Sequence, residues 1–167
     1  MARDARFALV TAAQKFDPAD RAKFVLDDTV SVIDLADPTR PVVLQTLWAG
    51  AGASGVSINH AGTLALVAST GEGTVTVFSI AGKTLSRVGQ VQLDPVPGPV
   101  DVAISPDGTT ALVTQCRGTS LWRLAINGTS VTTTGTPFFD GTTLTRDGAA
   151  TLRFAGRPGA IATARSR

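Results

Sequence analysis

The sequence contains an internal repeat. Residues 55–89 align with residues 101–135 without a gap, at a constant shift of 46. The identities fall on alternating apolar residues and on turn glycines: Val56/Val102, Ile58/Ile104, Gly62/Gly108, Ala65/Ala111, Leu66/Leu112, Val67/Val113, Ile80/Ile126 and Gly82/Gly128. A unit of this length is one supersecondary structure that buries its apolar surface against its neighbours. The chain is therefore a repeat protein.

Each unit divides into four short apolar segments, which we label strands A to D. Asp107-Gly108 and Asn127-Gly128 separate A from B and C from D, and both dipeptides favour tight β-hairpins. No segment has apolar residues at the spacing of a helix. The predicted strands are Val56–Ile58, Leu64–Ala68, Thr74–Ile80 and Thr84–Val88, then Asp101–Ser105, Ala111–Thr114, Ser120–Ile126 and Ser130–Thr134. Such units indicate propeller blades or an open β array.

The two ends of the sequence fit the same pattern in part. Residues 4–10 align with 107–113, so the first unit begins at an A–B turn, whereas residues 142–154 align with 102–114 and supply strands A and B of a fourth unit. The sequence thus predicts an all-β fold, a partial β-propeller of about three four-stranded antiparallel blades. We expect one domain over residues 1–156 and a disordered tail over 157–167. The predicted units are 3–50, 51–96, 97–140 and a partial 141–156.

The first unit carries an insertion. Val10 aligns with Val67 at a shift of 57, but Val30 aligns with Val75 at a shift of 45, so the B–C connection is 12 residues longer here. The inserted segment, residues 14–28, is the most highly charged stretch of the chain. Long loops in compact β domains often carry binding sites. The sequence predicts a long binding loop at this position.

Composition argues against several function classes. The net charge is only +2, and no basic stripe alternates with aromatic residues, so nucleic acid binding is not expected. Residues 1–14 do not resemble a signal peptide, and no apolar run of about 18 residues occurs, which predicts a cytoplasmic chain without a membrane anchor. Cys116 is the single cysteine, so it cannot form an intrachain disulfide. No cofactor is predicted.

Several residues have both a chemical and a structural interpretation. His60, the single histidine, stands in an A–B turn, where we expect a solvated turn residue rather than a catalyst. Cys116 adjoins Arg117, which could lower the pKa of a thiol, but no partner thiol is evident. The carboxylates of the insertion could gather a hard cation or could simply balance Arg21 and Lys23. We predict no catalytic residue and no metal site.

Strand order predicts which connections meet. In a propeller the B–C and D–A connections lie on one face and the A–B and C–D turns on the other, so the insertion and Glu72 should share a face that excludes His60. We predict a binding surface for a protein or a small polar ligand there. Its expected residues are Asp17, Asp20, Arg21, Lys23, Asp28, Trp48, Glu72 and Arg117.

Three segments resemble a known family. Residues 28–35, 55–67 and 102–114 look like the YVTN-type repeat of the lactonase-like, seven-bladed β-propellers, and the resemblance extends over about residues 4–154. The Ser-Pro-Asp-Gly turn at 105–108 is its most specific part, although the turn also recurs in other propellers, such as WD40-like ones. The resemblance implies hydrolysis of a sugar lactone and a bacterial protein that is periplasmic or exported. This chain departs from the family in its length and in lacking an export signal.

Three functions remain open at this stage. The first is a non-enzymatic propeller module, a binding scaffold that holds a partner on its B–C/D–A face. The alternatives are a lactonase-like hydrolase of a sugar lactone, implied by the resemblance, and a degenerate propeller fragment. Open blades tend to pair with further strands. We therefore also expect self-association, in which two chains form a ring of about six blades and the C-terminal strand A of one chain completes the first blade of the other.

Overall fold

A computed structural model describes residues 7–93, 98–115, 120–133, 139–140, 144–146 and 150–152. Every regular element in these ranges is a β-strand, so none of them offers a helix with the length and apolarity of a membrane span. The strands in chain order are β1 (Phe7–Phe16), β2 (Phe24–Asp34), β3 (Val42–Trp48), β4 (Ala53–Ile58), β5 (Leu64–Ser69), β6 (Thr74–Ala81), β7 (Thr84–Gln92), β8 (Pro99–Ile104), β9 (Thr110–Gln115), β10 (Ser120–Asn127), β11 (Ser130–Thr133), β12 (Phe139–Asp140), β13 (Leu144–Arg146) and β14 (Ala150–Leu152).

The strands form antiparallel meanders that follow the repeat. The orders are β1-β2-β3, β4-β5-β6-β7 and β8-β9-β10-β11, with β12 also pairing with β10 and with β13 pairing with β14. We call the first three sheets blades 1, 2 and 3. The predicted all-β fold and the four strands of units two and three are confirmed, and β13–β14 stands where the sequence predicts a fourth unit. The predicted domain limits and the tail at 157–167 lie largely outside the described residues.

The A–B turn of blade 3 explains why the repeat keeps a Ser-Pro-Asp-Gly segment. The Asp107 carboxylate accepts hydrogen bonds from Ser105 Oγ at 2.5 Å and from the Thr109 N–H at 3.0 Å. Gly108 has a φ of 76°, a left-handed conformation that residues with a side chain rarely adopt. Its N–H donates to the Ser105 carbonyl at 2.9 Å. Asp107 is therefore a turn residue, as predicted.

Blade 2 is buried on both faces. Successive residues of β5 alternate between two apolar clusters, so Leu64 and Leu66 pack toward blade 3 while Ala65 and Val67 pack toward blade 1. All six residues of β5 are buried. The strand therefore reads as a continuous apolar run and lacks the polar alternation of a sheet with one wet face. Two interfaces, one on each side of blade 2, make up the described core.

The first strands of blades 2 and 3 lie close together, and β1 lies beside them. Ser54 Oγ in β4 donates a hydrogen bond to the Val100 carbonyl in β8 at 2.8 Å, and Thr11 Oγ1 in β1 donates to the Ser54 carbonyl. Blades 1 and 2 are also joined by an ion pair between Lys83 and Asp34, with Nζ and Oδ1 2.5 Å apart. The hydrogen bond from Lys83 holds the pKa of Asp34 below its ordinary value. The blades therefore stack side by side, and β1, β4 and β8 form the neighbouring edges of the three blades.

The prediction of a loop over residues 14–28 is wrong, because most of this segment is β-strand. β1 and β2 run on through most of this segment, with Gln14 opposite Leu26 and Phe16 opposite Phe24. The insertion is thus a hairpin arm, which we define as residues 14–26. A charged composition does not separate a solvent-exposed strand from a loop, because both leave polar side chains in water. Only the turn at 17–23 is free of strand pairing.

Candidate functional site

The B–C and D–A connections meet on one face, as the strand order predicts. We call it the connection face. The backbone hydrogen bonds that join these connections are Ala49 N to Asp28 O (2.6 Å), Gly52 N to Asp27 O (2.6 Å), Thr70 N to Gly52 O (3.0 Å), Gly71 N to Ala51 O (2.8 Å) and Leu93 N to Gly73 O (3.0 Å). Backbone hydrogen bonds thus hold the connections together, and the Ser69 and Thr76 hydroxyls reinforce them by donating to the Ala49 carbonyl.

A row of polar side chains lies at the rim of this face, between blades 1 and 2. The Glu72 carboxylate accepts hydrogen bonds from the Ala51 N–H at 3.1 Å and from Gln90 Nε2 at 3.2 Å. Arg87 donates to Gln90 Oε1 at 2.9 Å. The Arg87 guanidinium also stacks over the Trp48 ring, 4.8 Å from its centroid. We call Trp48, Glu72, Arg87 and Gln90 the rim cluster.

The rim cluster offers an aromatic edge, a cation and amide groups to solvent. Trp48 is 42% exposed, and both Arg87 and Gln90 lie at the surface. Guanidinium groups bind carboxylates and phosphates in a fixed, forked geometry, while amides bind hydroxyls. Both Glu72 oxygens already accept hydrogen bonds from the protein. Glu72 therefore orients its neighbours, and the remaining binding capacity belongs to Trp48, Arg87 and the second amide hydrogen of Gln90.

Four of the predicted site residues form the turn of the arm. Asp17 accepts a hydrogen bond from the Ala19 N–H at 2.8 Å, and Asp20 accepts one from the Ala22 N–H at 3.1 Å, which are local turns of the kind aspartate favours. Lys23 pairs with Asp20 at 3.2 Å on the surface. Arg21 lines a shallow depression of about 540 Å³ together with Phe16, Asp17 and Pro18.

The arm separates this turn from the rim cluster. Asp28 lies at the base of the arm, where its carbonyl accepts the Ala49 N–H, and the turn begins at Lys23, five residues away along the chain and roughly 17 Å further out. Asp27 beside it pairs with Lys15 at 3.2 Å. The Asp28 N–H, with help from Lys15, holds the pKa of Asp27 below its ordinary value. Of the predicted residues, the structure thus brings Trp48 and Glu72 into one cluster, while Arg117 and Cys116 lie outside the described residues.

His60 lies on the opposite face. It lines a small depression of about 160 Å³ formed by the A–B turns of blades 2 and 3, beside Asn59, Pro106 and Asp107. This agrees with the expected exclusion of His60 from the connection face. Within the described ranges, no group of three or more histidine, cysteine, aspartate or glutamate residues is arranged to hold a metal ion.

Arg87 and Gln90 are not among the predicted site residues. The predicted strand D ends at Val88, whereas β7 continues to Gln92 after a register shift between Val77 and Phe78. The alternation Gln90-Val91-Gln92 was a usable signal, because polar and apolar residues that alternate predict a half-buried strand. The contact between Arg87 and Trp48, by contrast, crosses two blades and has no local signature.

Comparisons with solved structures show the fold. A putative 6-phosphogluconolactonase from Bacteroides uniformis matches over 73% of this chain and 39% of its own, with a TM-score of 0.59 and 19% identity. The periplasmic gluconolactonase PpgL of Pseudomonas aeruginosa matches over 75% and 38%, with a TM-score of 0.58 and 19% identity. The Cps50 (Swd1) β-propeller domain from Myceliophteria thermophila matches over 93% and 45%, with a TM-score of 0.54 and 14% identity.

The fold is therefore that of a β-propeller, represented here by part of the ring. The chain spans about two fifths of the length of the solved structures it resembles. No protein-family model matches the sequence, and no curated protein matches it either. The YVTN-type repeat thus stays a prediction, whereas a propeller fold of the kind found in lactonases is supported.

Proposed function

We propose that this chain is a binding module whose rim cluster holds a small hydroxylated anion, such as a sugar acid. The observation that carries the proposal is the Arg87 guanidinium, stacked on Trp48 and hydrogen-bonded to Gln90 at the surface of the connection face. Arg87 would pair with the carboxylate or phosphate of the ligand, and Gln90, which uses one amide hydrogen on Glu72, would offer its second to a hydroxyl. Trp48 would pack against the apolar side of the ring.

A non-catalytic role suits the polar groups of the cluster better than an enzymatic one. Glu72 is its single carboxylate, and both of its oxygens accept hydrogen bonds from Ala51 and Gln90. Hydrolysis by general acid–base catalysis needs a group within reach of the substrate that can exchange a proton. A carboxylate engaged on both oxygens is better placed to orient its neighbours.

Intrinsic fluorescence tests the proposal, because the two tryptophans differ in exposure. Trp48 is 42% exposed and Trp122 is 2% exposed, so a ligand at the rim cluster should alter mainly the Trp48 emission. Titration with gluconate and with 6-phosphogluconate should give a saturable change. In R87Q we expect at least about tenfold weaker binding, equivalent to about 1.4 kcal/mol. R40Q is the control, because Arg40 is exposed in the turn before β3. A response that is absent, or equal in R87Q and R40Q, would exclude this site.

Hydrolysis of a sugar lactone is the second candidate. The names of two matched structures, a putative 6-phosphogluconolactonase and a periplasmic gluconolactonase, favour it, and the second name also suits an exported protein. Acid release from glucono-δ-lactone at constant pH measures this activity directly. We expect no release above the spontaneous rate. If the wild-type chain released acid and E72Q did not, the chain would be an enzyme and the proposal of a binding module would be wrong.

A further inference from the structure

A β-bulge in β7 brings two side chains of the rim cluster to one face of blade 2. Arg87 lies opposite Phe78 in β6, and Gln90 lies opposite Thr76, so one residue of β7 between them has no partner in β6. Phe78 and Thr76 both point toward blade 1. Residues three apart on a regular strand point to opposite faces, but the extra residue places Arg87 and Gln90 on the same face. The guanidinium and the amide therefore meet because of the bulge.

The Gln90 amide lies between a group that only accepts hydrogen bonds and a group that only donates them. An ionised carboxylate offers acceptors alone, and a guanidinium offers donors alone. Gln90 Nε2 therefore faces Glu72 Oε2 at 3.2 Å, and Gln90 Oε1 faces Arg87 Nη2 at 2.9 Å. The two charges on either side of the amide thus fix its orientation.

Glu72 is the anchored end of this chain of hydrogen bonds. Its Oε1 accepts the Ala51 N–H at 3.1 Å, and Gln92 Nε2 holds the backbone beside it by donating to the Gly73 carbonyl at 3.1 Å. Gly50 leaves room for the carboxylate, since a methyl group there would stand 3.1 Å from Glu72 Oε2. Glu72 is half-buried, whereas the side chains that it reaches through the amide are exposed. Order therefore extends from Glu72 outward to the surface.

We propose that Glu72 is the positioning residue of the rim cluster and determines its preference for anions, an inference that rests on the proposed function. Acting through the Gln90 amide, Glu72 holds the Arg87 guanidinium on Trp48 and keeps the amide oxygen engaged on Arg87. The groups offered to a ligand are then the N–H donors of Arg87 and the second amide hydrogen of Gln90. Donors of this kind suit the oxygens of a carboxylate or a phosphate. A carboxylate thus prepares a site for an anion although its own charge repels one.

Glu72→Gln distinguishes this role from the effect of charge alone, because the two predict opposite signs. Loss of a negative charge beside an anion site should strengthen binding. In E72Q, however, the new amide keeps its oxygen on the Ala51 N–H and turns an NH2 group toward Gln90. The Gln90 amide then reverses and presents its own NH2 group to the Arg87 guanidinium, which is also a donor. We expect E72Q to bind gluconate and 6-phosphogluconate at least about threefold more weakly, as measured by the fluorescence of Trp48.

Two further variants serve as controls. Gln90→Met removes the amide and nearly keeps its length, so in a Q90M background E72Q should leave anion binding unchanged or strengthen it. Asp37→Asn removes the same charge in the C–D turn of blade 1, where Asp37 bonds only to its own turn, and it should bind like the wild-type chain. Circular dichroism should show that all variants are folded.

Acrylamide quenching in the absence of ligand tests the positioning of Arg87 separately from binding. Trp122 is 2% exposed, so quenching reports on Trp48, which the Arg87 guanidinium covers in the wild-type chain. We expect quenching in E72Q to rise to the level of R87Q. If no anion altered the emission of the wild-type chain, the binding function would be wrong, and quenching would still decide the role of Glu72. Quenching of E72Q equal to that of the wild-type chain would overturn the inference. Stronger anion binding in E72Q, or an equal loss with and without the Gln90 amide, would overturn it too.

Discussion

At the scale of single residues, close packing between blades depends on glycine at the positions where two backbones meet. Gly55 in β4 lies against Asp101 in β8, the residue at its own position in the next repeat. A methyl group on Gly55 would stand 2.5 Å from the Asp101 Cα and 2.7 Å from the Val100 carbonyl oxygen. Both are backbone atoms, so no side-chain rotation relieves the contact. The absence of a side chain at Gly55 therefore sets the spacing between blades 2 and 3.

We expect Gly55→Ala to lower the free energy of unfolding by about 1–3 kcal/mol, because the added methyl group forces β4 and β8 apart. Urea denaturation followed by circular dichroism measures the change. Gly89→Ala is the control, since its methyl group would meet only Val77 Cβ at 3.9 Å, an ordinary contact, and it should change the value by less than about 0.5 kcal/mol. Equal effects of the two substitutions would show that strand propensity, and not the contact with Asp101, sets the cost.

At the scale of elements, the strands could be predicted from the sequence because their signals are local. Alternating apolar residues and the Asp107-Gly108 turn place β8 and β9 within a few residues of their observed limits. Of the candidate site, strand order placed Trp48 and Glu72 on the connection face. The rim cluster as a whole could not be predicted, because the contact of Trp48 with Arg87 depends on the register shift in β6–β7 and on the packing of two blades. The sequence predicts a loop in place of the arm because an exposed hairpin and an exposed loop both carry polar side chains.

The arm contributes little to the packed core. Phe16 and Phe24 pack against each other with ring centroids 4.6 Å apart and a tilt of 31°, yet they are 59% and 62% exposed. Gln14 and Leu26 face each other across the ladder and can be joined by a two-residue hairpin turn. The arm beyond this pair is thus an addition to blade 1 and not a part of its fold.

We expect replacement of residues 15–25 by Asn-Gly to change the free energy of unfolding by less than about 1 kcal/mol, because the removed residues cover no buried cluster. Chemical denaturation measures this value. Binding of a hydrophobic dye should fall, since two exposed rings are lost. The double variant F16S/F24S keeps the arm and removes the rings, so it separates the two effects. If the deletion variant were unfolded while F16S/F24S remained stable, the backbone of the arm would be required for the folding of blade 1.

At the scale of the whole molecule, each blade is stabilised by the apolar cluster that it shares with a neighbouring blade. The two apolar clusters lie on opposite sides of blade 2, one shared with blade 1 and the other with blade 3. In repeat proteins whose units contact only their neighbours, total stability is approximately a sum of unit and nearest-neighbour terms. Weakening the interface of blade 2 with blade 1 should therefore lower the protection of blade 1 from hydrogen exchange and leave that of blade 3 unchanged. Weakening the interface with blade 3 should do the reverse.

A matched pair of cavities tests this independence. Val67 and Val113 occupy the same repeat position, both are 0% exposed, and each lies in a different cluster. Val67→Ala and Val113→Ala should each cost about 2 kcal/mol, since two methyl groups are lost and a cavity is left. Measured by hydrogen exchange, V67A should speed exchange in β2 of blade 1 roughly 30-fold and leave β10 of blade 3 nearly unchanged, whereas V113A should do the reverse. Equal acceleration in all three blades by both variants would mean that the sheets unfold as one cooperative unit.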